Sequence, residues 1–171
     1  MAEKKQVLYD LKISYNGPFL VEEFYKEVDD WINENGYSKR NKTKSEHVTK
    51  NGKKIEWVIE AQSHVGSVYH GVVNLRVLMD NVRDVVITSK GKKMNVQNGE
   101  ILANINGFLI GHVYGTLYQV RPINYFITQL IDKFVWNVYN DKYDGMINSQ
   151  GRDLYKRIKL FFDKQSTRFL D

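Results

Sequence analysis

With 171 residues, 42% of them hydrophobic, the chain has the size and apolar content of one domain with its own core. Two prolines and twelve glycines exclude collagen-like and Pro-rich disordered architectures, and the lack of cysteine excludes disulfides, thiolate nucleophiles and sulfur-ligated zinc. The formal net charge of +5 is local: between Ser38 and Lys54, the cations Lys39, Arg40, Lys42, Lys44, Lys50, Lys53 and Lys54 face only Glu46, a net +6 that leaves the remainder at −1.

Positive charge concentrated in this way creates a field that attracts phosphate or an acidic surface. The preceding segment is acidic, with Glu22, Glu23, Glu27, Asp29, Asp30 and Glu34 against Lys26, so neutralisation within the fold is the competing expectation. No segment approaches 18 uninterrupted apolar residues, and the first residues run into an alternating stretch carrying Asp10 and Lys12. Neither a signal peptide nor a membrane span is expected, and a cytoplasmic location follows from that reading.

Residues 7–15 open the fold as a strand: Val7, Tyr9, Leu11, Ile13 and Tyr15 alternate with Leu8, Asp10, Lys12 and Ser14. Asn16-Gly17-Pro18 breaks it, and residues 18–35 read as a helix. There Leu20, Val21, Phe24, Tyr25, Val28, Trp31 and Ile32 form one stripe, and Gly36 is placed to end the helix. Residues 39–120 read as a β-meander. Asn51-Gly52 is its strongest turn signal, suited to a type I′ hairpin between the cationic strand and one with Ile55, Trp57, Ile59 and Ala61 facing inward. Val73, Leu75, Val77 and Met79 share the face of the next strand. Asp80-Asn81, residues 89–93 and residues 97–99 are read as further turns, and Gly107 and Gly111 as a bulge or close backbone approach. Pro122 opens a helix over residues 122–140 with a wide apolar stripe. A polar break follows at residues 140–145, then a second helix over residues 147–165 with Leu154, Ile158, Phe161 and Phe162.

The fold class is therefore α+β, a single domain in the order β-α-β(n)-α-α, with helices on one face of an antiparallel sheet. Short connections exclude parallel βαβ units in the central run. The order resembles the helix-grip arrangement, in which a curved sheet wraps a long C-terminal helix and often leaves an apolar cavity; topology does not fix function. Asp84-Val85-Val86-Ile87, Gly91-Lys92-Lys93, Asn98-Gly99-Glu100 and Glu56-Trp57 also resemble a family of uncharacterised small archaeal proteins. That resemblance implies no activity and no site.

Catalytic chemistry finds little footing. His47, His64, His70 and His112 form no HxH or HExxH spacing, and His64 and His70 lie six residues apart across a glycine-containing turn. Ser63, Ser67 and Ser149 lack a GxSxG context, Gly91-Lys92-Lys93 lacks the second P-loop glycine, and the carboxylate pairs read as solvated charge. No enzymatic function, cofactor or metal is expected. The basic window survives best. Strand alternation places Arg40, Lys42, Lys44 and Glu46 on one solvated row, Lys50, Lys53 and Lys54 crowd one hairpin tip, and Lys90, Lys92 and Lys93 crowd another. Such tips contact phosphates without reading bases. Lysines that protect an edge strand from aggregation are the rival explanation.

The expected function is a non-enzymatic binding protein whose basic hairpins contact an acidic partner, RNA, a ribonucleoprotein or an acidic protein surface. One alternative is a carrier or sensor of an apolar small molecule held between sheet and helix, with Trp31, Trp57, Tyr125, Phe126, Phe134 and Trp136 around the cavity or an interface. Another is a structural subunit that forms a homo-oligomer through the helix at 122–140. No membrane partner is expected.

Overall fold

Seven elements make up the fold: β1 (Ala2–Phe19), α1 (Val21–Glu34), β2 (Ser38–Thr49), β3 (Gly52–Val65), β4 (Tyr69–Ser89), β5 (Lys92–His112) and α2 (Pro122–Leu170). This computed structural model describes the backbone at residues 2–65, 69–112 and 122–170 and the side chains at residues 4–65, 69–111 and 141–170. The strands form one antiparallel sheet in the order β1-β5-β4-β3-β2, an α+β domain as the alternating apolar pattern implies. On the core face Ile55, Trp57, Ile59 and Ala61 of β3 register against Met79, Val77, Leu75 and Val73 of β4, all buried. The other face carries exposed or half-buried polar pairs, such as Arg76 beside Glu56 at 2.8 Å.

Both helices pack on the core face. Helix α1 buries Phe24, Val28, Trp31 and Ile32, and the Phe24 ring lies 5.3 Å from Phe162 and 6.1 Å from Trp57. Helix α2 presents Ile147, Gly151, Leu154, Ile158, Phe161 and Gln165 at alternating spacings of four and three, all buried. Its Arg157 joins the helices by charge, reaching Glu27 and Glu34 at 2.6 Å each. The hydrogen bond from Arg157 lowers the Glu34 pKa. Burial pushes the Tyr37 phenol up to about 12, and its hydroxyl donates to Gln150 on α2.

The two expected C-terminal helices are one. Residues 140–145 continue α2 without a break, because no proline interrupts them and the only glycine, Gly145, costs about 1 kcal/mol in a helix interior. Tertiary contacts work against that cost: Asp144 pairs with Lys5, and the Tyr143 ring lies 5.7 Å from Tyr69. Helix α1 starts at Val21, not Pro18, since β1 runs on through Asn16-Gly17-Pro18 along β5. Pro18 is tolerated there because β1 is an edge strand.

Bulges account for most of the remaining differences. The register of β1 shifts at Leu8 and again before Leu11, with Asp10 at φ 45°. Leu8 is thereby turned into the core, while Tyr9 is 67% exposed, the reverse of simple alternation. The turns expected at Asp80-Asn81 and at 97–99 are a bulge inside β4 and a continuous stretch of β5. Asp80 pairs with Glu100 and Arg83 with Asn98, and Asn81 takes φ 54° as the displaced residue. Gly107 marks the close approach anticipated for it, since a Cβ there would stand 2.9 Å from Leu8 Cβ.

The first hairpin turns at Lys50-Asn51, not Asn51-Gly52. Thr49 pairs with Gly52, neither central residue has positive φ, and Gly52 alone takes φ 137°. A Cβ at Gly52 would sit 2.9 Å from the Asn81 carbonyl carbon and 3.0 Å from Val82 O, both backbone atoms. Gly52→Ala is therefore expected to destabilise by about 1–3 kcal/mol, read as a lower urea midpoint at unchanged slope. An unchanged midpoint would mean that the β3–β4 backbone yields freely.

Candidate anion-binding surfaces

The basic window lies on β2 and the first turns of β3, and the fold disperses it. All residues of β2 except Ser45 are exposed, and the strand forms the outer edge of the sheet. A bulge between Asn41 and Thr43 inverts its alternation. Lys44 comes opposite Trp57 and Glu46 opposite Ile55 on the helix side, while Arg40 stands opposite Glu60 on the other. The single cationic row expected from strict alternation is thus split between two faces.

Most of these cations already have partners. Lys39 lies 2.6 Å from Asp29 of α1, Lys42 3.3 Å from Glu60, Lys53 3.2 Å from Glu46 and Lys54 3.4 Å from Asp80. Lys44 Nζ sits 4.6 Å above the Tyr25 ring. Arg40 and Lys50 have no ion pair among the described residues. Of the acidic helix, only Asp29 engages the window. Glu23, Glu27 and Glu34 pair with Arg157 and Arg168 of α2 instead.

A different cationic cluster forms where β4 and β5 extend beyond the rest of the sheet. The β2–β3 turn ends level with Val82, because Lys53 pairs with that residue. On the other side β1 ends level with Asp84, because Phe19 pairs with Gln97, and beyond it β4 and β5 continue alone as a two-stranded ribbon to Ser89 and Lys92, roughly 17 Å further. The C-terminal end of α2 lies against this ribbon, with Ser89 Oγ donating to Arg168 O at 3.1 Å. Between them opens a cleft of about 700 Å³. Lys90 and Lys92 supply one wall, and Lys164 and Arg168 the other, with Asp163 the one carboxylate among its lining residues. Ser89 and Thr167 add hydroxyls, and Met94 and Leu160 an apolar surface.

Arg168 is held by Glu23 at 3.2 Å, whereas Lys90, Lys92 and Lys164 have no ion pair among the described residues. Lys93, the third lysine of this tip, is exposed but does not line the cleft. The turn itself is informative. Ser89 pairs with Lys92, and the two central residues take φ 48° at Lys90 and 76° at Gly91, as a type I′ turn requires. Glycine suits that backbone; a lysine does not, at a cost of about 1–2 kcal/mol. Lys164 and Arg168 lie far from Lys90 in sequence, and only the packing of α2 against the ribbon end brings them beside it.

The aromatic candidates divide. Trp31 and Trp57 are core residues, 0% and 3% exposed. The indole of Trp31 donates to Asp153 at 3.1 Å and stacks on Tyr37, and Trp57 meets Phe24 and Tyr25 edge-on. The side chains of Tyr125, Phe126, Phe134 and Trp136 lie outside the described residues. Among the described residues, no three His, Asp or Glu side chains gather closely enough to hold a metal. The histidine pair set aside on sequence spacing is brought together: His64 and His70 face each other across β3 and β4, ring centroids 4.6 Å apart. Among the described residues, no helix is long and apolar enough to cross a membrane. Compared with protein-family models, with curated proteins and with solved structures, the chain has no significant match in any of the three.

Proposed function

We propose that the protein is a non-enzymatic binding module that contacts the phosphate backbone of RNA through the cleft between the β4–β5 turn and the end of α2. One observation carries this reading: three lysines with no ion pair among the described residues converge on one open cleft, and one of them, Lys90, occupies a backbone conformation that disfavours it. A lysine kept at a strained turn position is best understood through its charge. Cations at the C-terminal end of α2 also complement the helix dipole, which explains Arg168 and Lys164 in part. It gives no reason for Lys90 and Lys92, which belong to another element.

The lysines of β2 serve a separate purpose in this reading. An exposed edge strand invites pairing with other chains, and a row of lysines opposes that. On that strand Lys39 and Lys42 are ion-paired and Lys44 lies over the Tyr25 ring, while Arg40 has no ion pair among the described residues and stands on the opposite face from Lys44.

Lys90→Asn separates charge from turn geometry, because asparagine tolerates the left-handed region. The variant is expected to unfold about 1–4 °C higher than the wild type, from roughly 0.5–1 kcal/mol of relieved strain. It is also expected to retain less single-stranded RNA at low salt. Wild-type protein that fails to retain mixed RNA at low ionic strength, or a variant that retains as much as the wild type, would overturn the proposal.

A further inference from the structure

We infer that His64 and His70 form a cross-strand chelate for a borderline transition-metal dication, with zinc as the reference ion. The two residues stand directly opposite each other in the β3–β4 ladder. Their neighbours Ala61 and Val73 face the core, and alternation puts both imidazoles on the opposite face, among Gln62, Val72 and Ile110. His64 is exposed and His70 half-buried, so an ion reaches them from solvent.

The geometry suits one ion held by two rings. A ligating imidazole nitrogen lies about 2.0–2.1 Å from zinc, and the ring centroid lies about 1.1 Å behind it. With a tetrahedral angle at the metal, the two centroids then stand about 5 Å apart. The observed spacing is 4.6 Å, with the ring planes at 68°. The strands, fixed by their ladder, already hold the rings close to that spacing.

Ligand chemistry selects the ion. Two neutral imidazoles suit zinc, nickel or copper and are poor ligands for calcium or magnesium, which take oxygen. No third His, Asp or Glu joins them among the described residues. An ion bound there ties β3 to β4 close to the connection between them and adds stability only to the folded chain. Because both rings must be unprotonated, binding weakens on acidification.

The test is a titration of the full chain with zinc chloride near neutral pH, followed by calorimetry and by NMR of the histidine rings. One zinc per chain is expected, with the His64 and His70 rings responding together and the His47 ring, opposite Lys54 at the other end of β3, unchanged. His64→Asn and His70→Asn should each weaken binding at least about tenfold, while His47→Asn leaves it intact. His64 is exposed and His70 half-buried, and circular dichroism checks that each variant folds. Absence of binding, or equal affinity in the double His64→Asn/His70→Asn variant, would overturn the inference.

Discussion

Replacing Lys90, Lys92 and Lys164 together by glutamine is expected to lower RNA affinity by more than about tenfold at low salt and to flatten its salt dependence. Each lysine that neutralises a phosphate on a single strand releases counterions worth about 0.7 in the slope of log affinity against log salt. Three lost contacts therefore reduce the slope by about 2, whatever the RNA sequence. Stability should barely change, since none of the three makes an ion pair among the described residues. The matched replacement of Lys42, Lys53 and Lys54 should do the reverse. It removes contacts to Glu60, Glu46 and Asp80 at some cost in stability and leaves binding almost intact. Equal losses of affinity in both variants would point to diffuse charge and not to a cleft.

Phe24→Ala is expected to be the most destabilising single change, at about 3–5 kcal/mol. Phe24 is wholly buried, and its ring is ringed by Trp57, Phe161 and Phe162 at 6.1, 5.7 and 5.3 Å. Those three groups belong to the sheet and to α2, so the cavity left behind would loosen α1 from both at once. For a chain of this size the thermal midpoint should fall by roughly 6–20 °C. A fall of only a degree or two would mean that α1 collapses into the gap, and that the sheet and α2 form the stable unit without it.

Patterns with a fixed period were legible in the sequence, and interruptions of the period were not. Ile55 to Ala61 and Val73 to Met79 alternate without a break, so their burial follows directly from a period of two. Phe24, Val28, Trp31 and Ile32 follow from the helical period in the same way. A bulge leaves no such signature, because one extra residue is visible only against its partner strand. That is why Leu8 and Tyr9 exchange faces, why Lys44 turns toward Tyr25, and why Asn81, a good turn residue, sits inside a 21-residue strand. The candidate site was half legible. Lys90 and Lys92 stood out as a charged turn, but Lys164 and Arg168 join them from some 70 residues away through the packing of α2. The same limit hid the His64–His70 pair, whose separation of six residues means proximity only once β3 and β4 form a hairpin.

Backbone NMR of the full chain, titrated with a short single-stranded RNA at low salt, tests the placement of the binding surface most directly. Shifts concentrated at residues 89–94 and 160–168, fading together as salt is added, are the predicted result. Shifts concentrated at residues 39–54, with the β4–β5 turn and the end of α2 undisturbed, would contradict it.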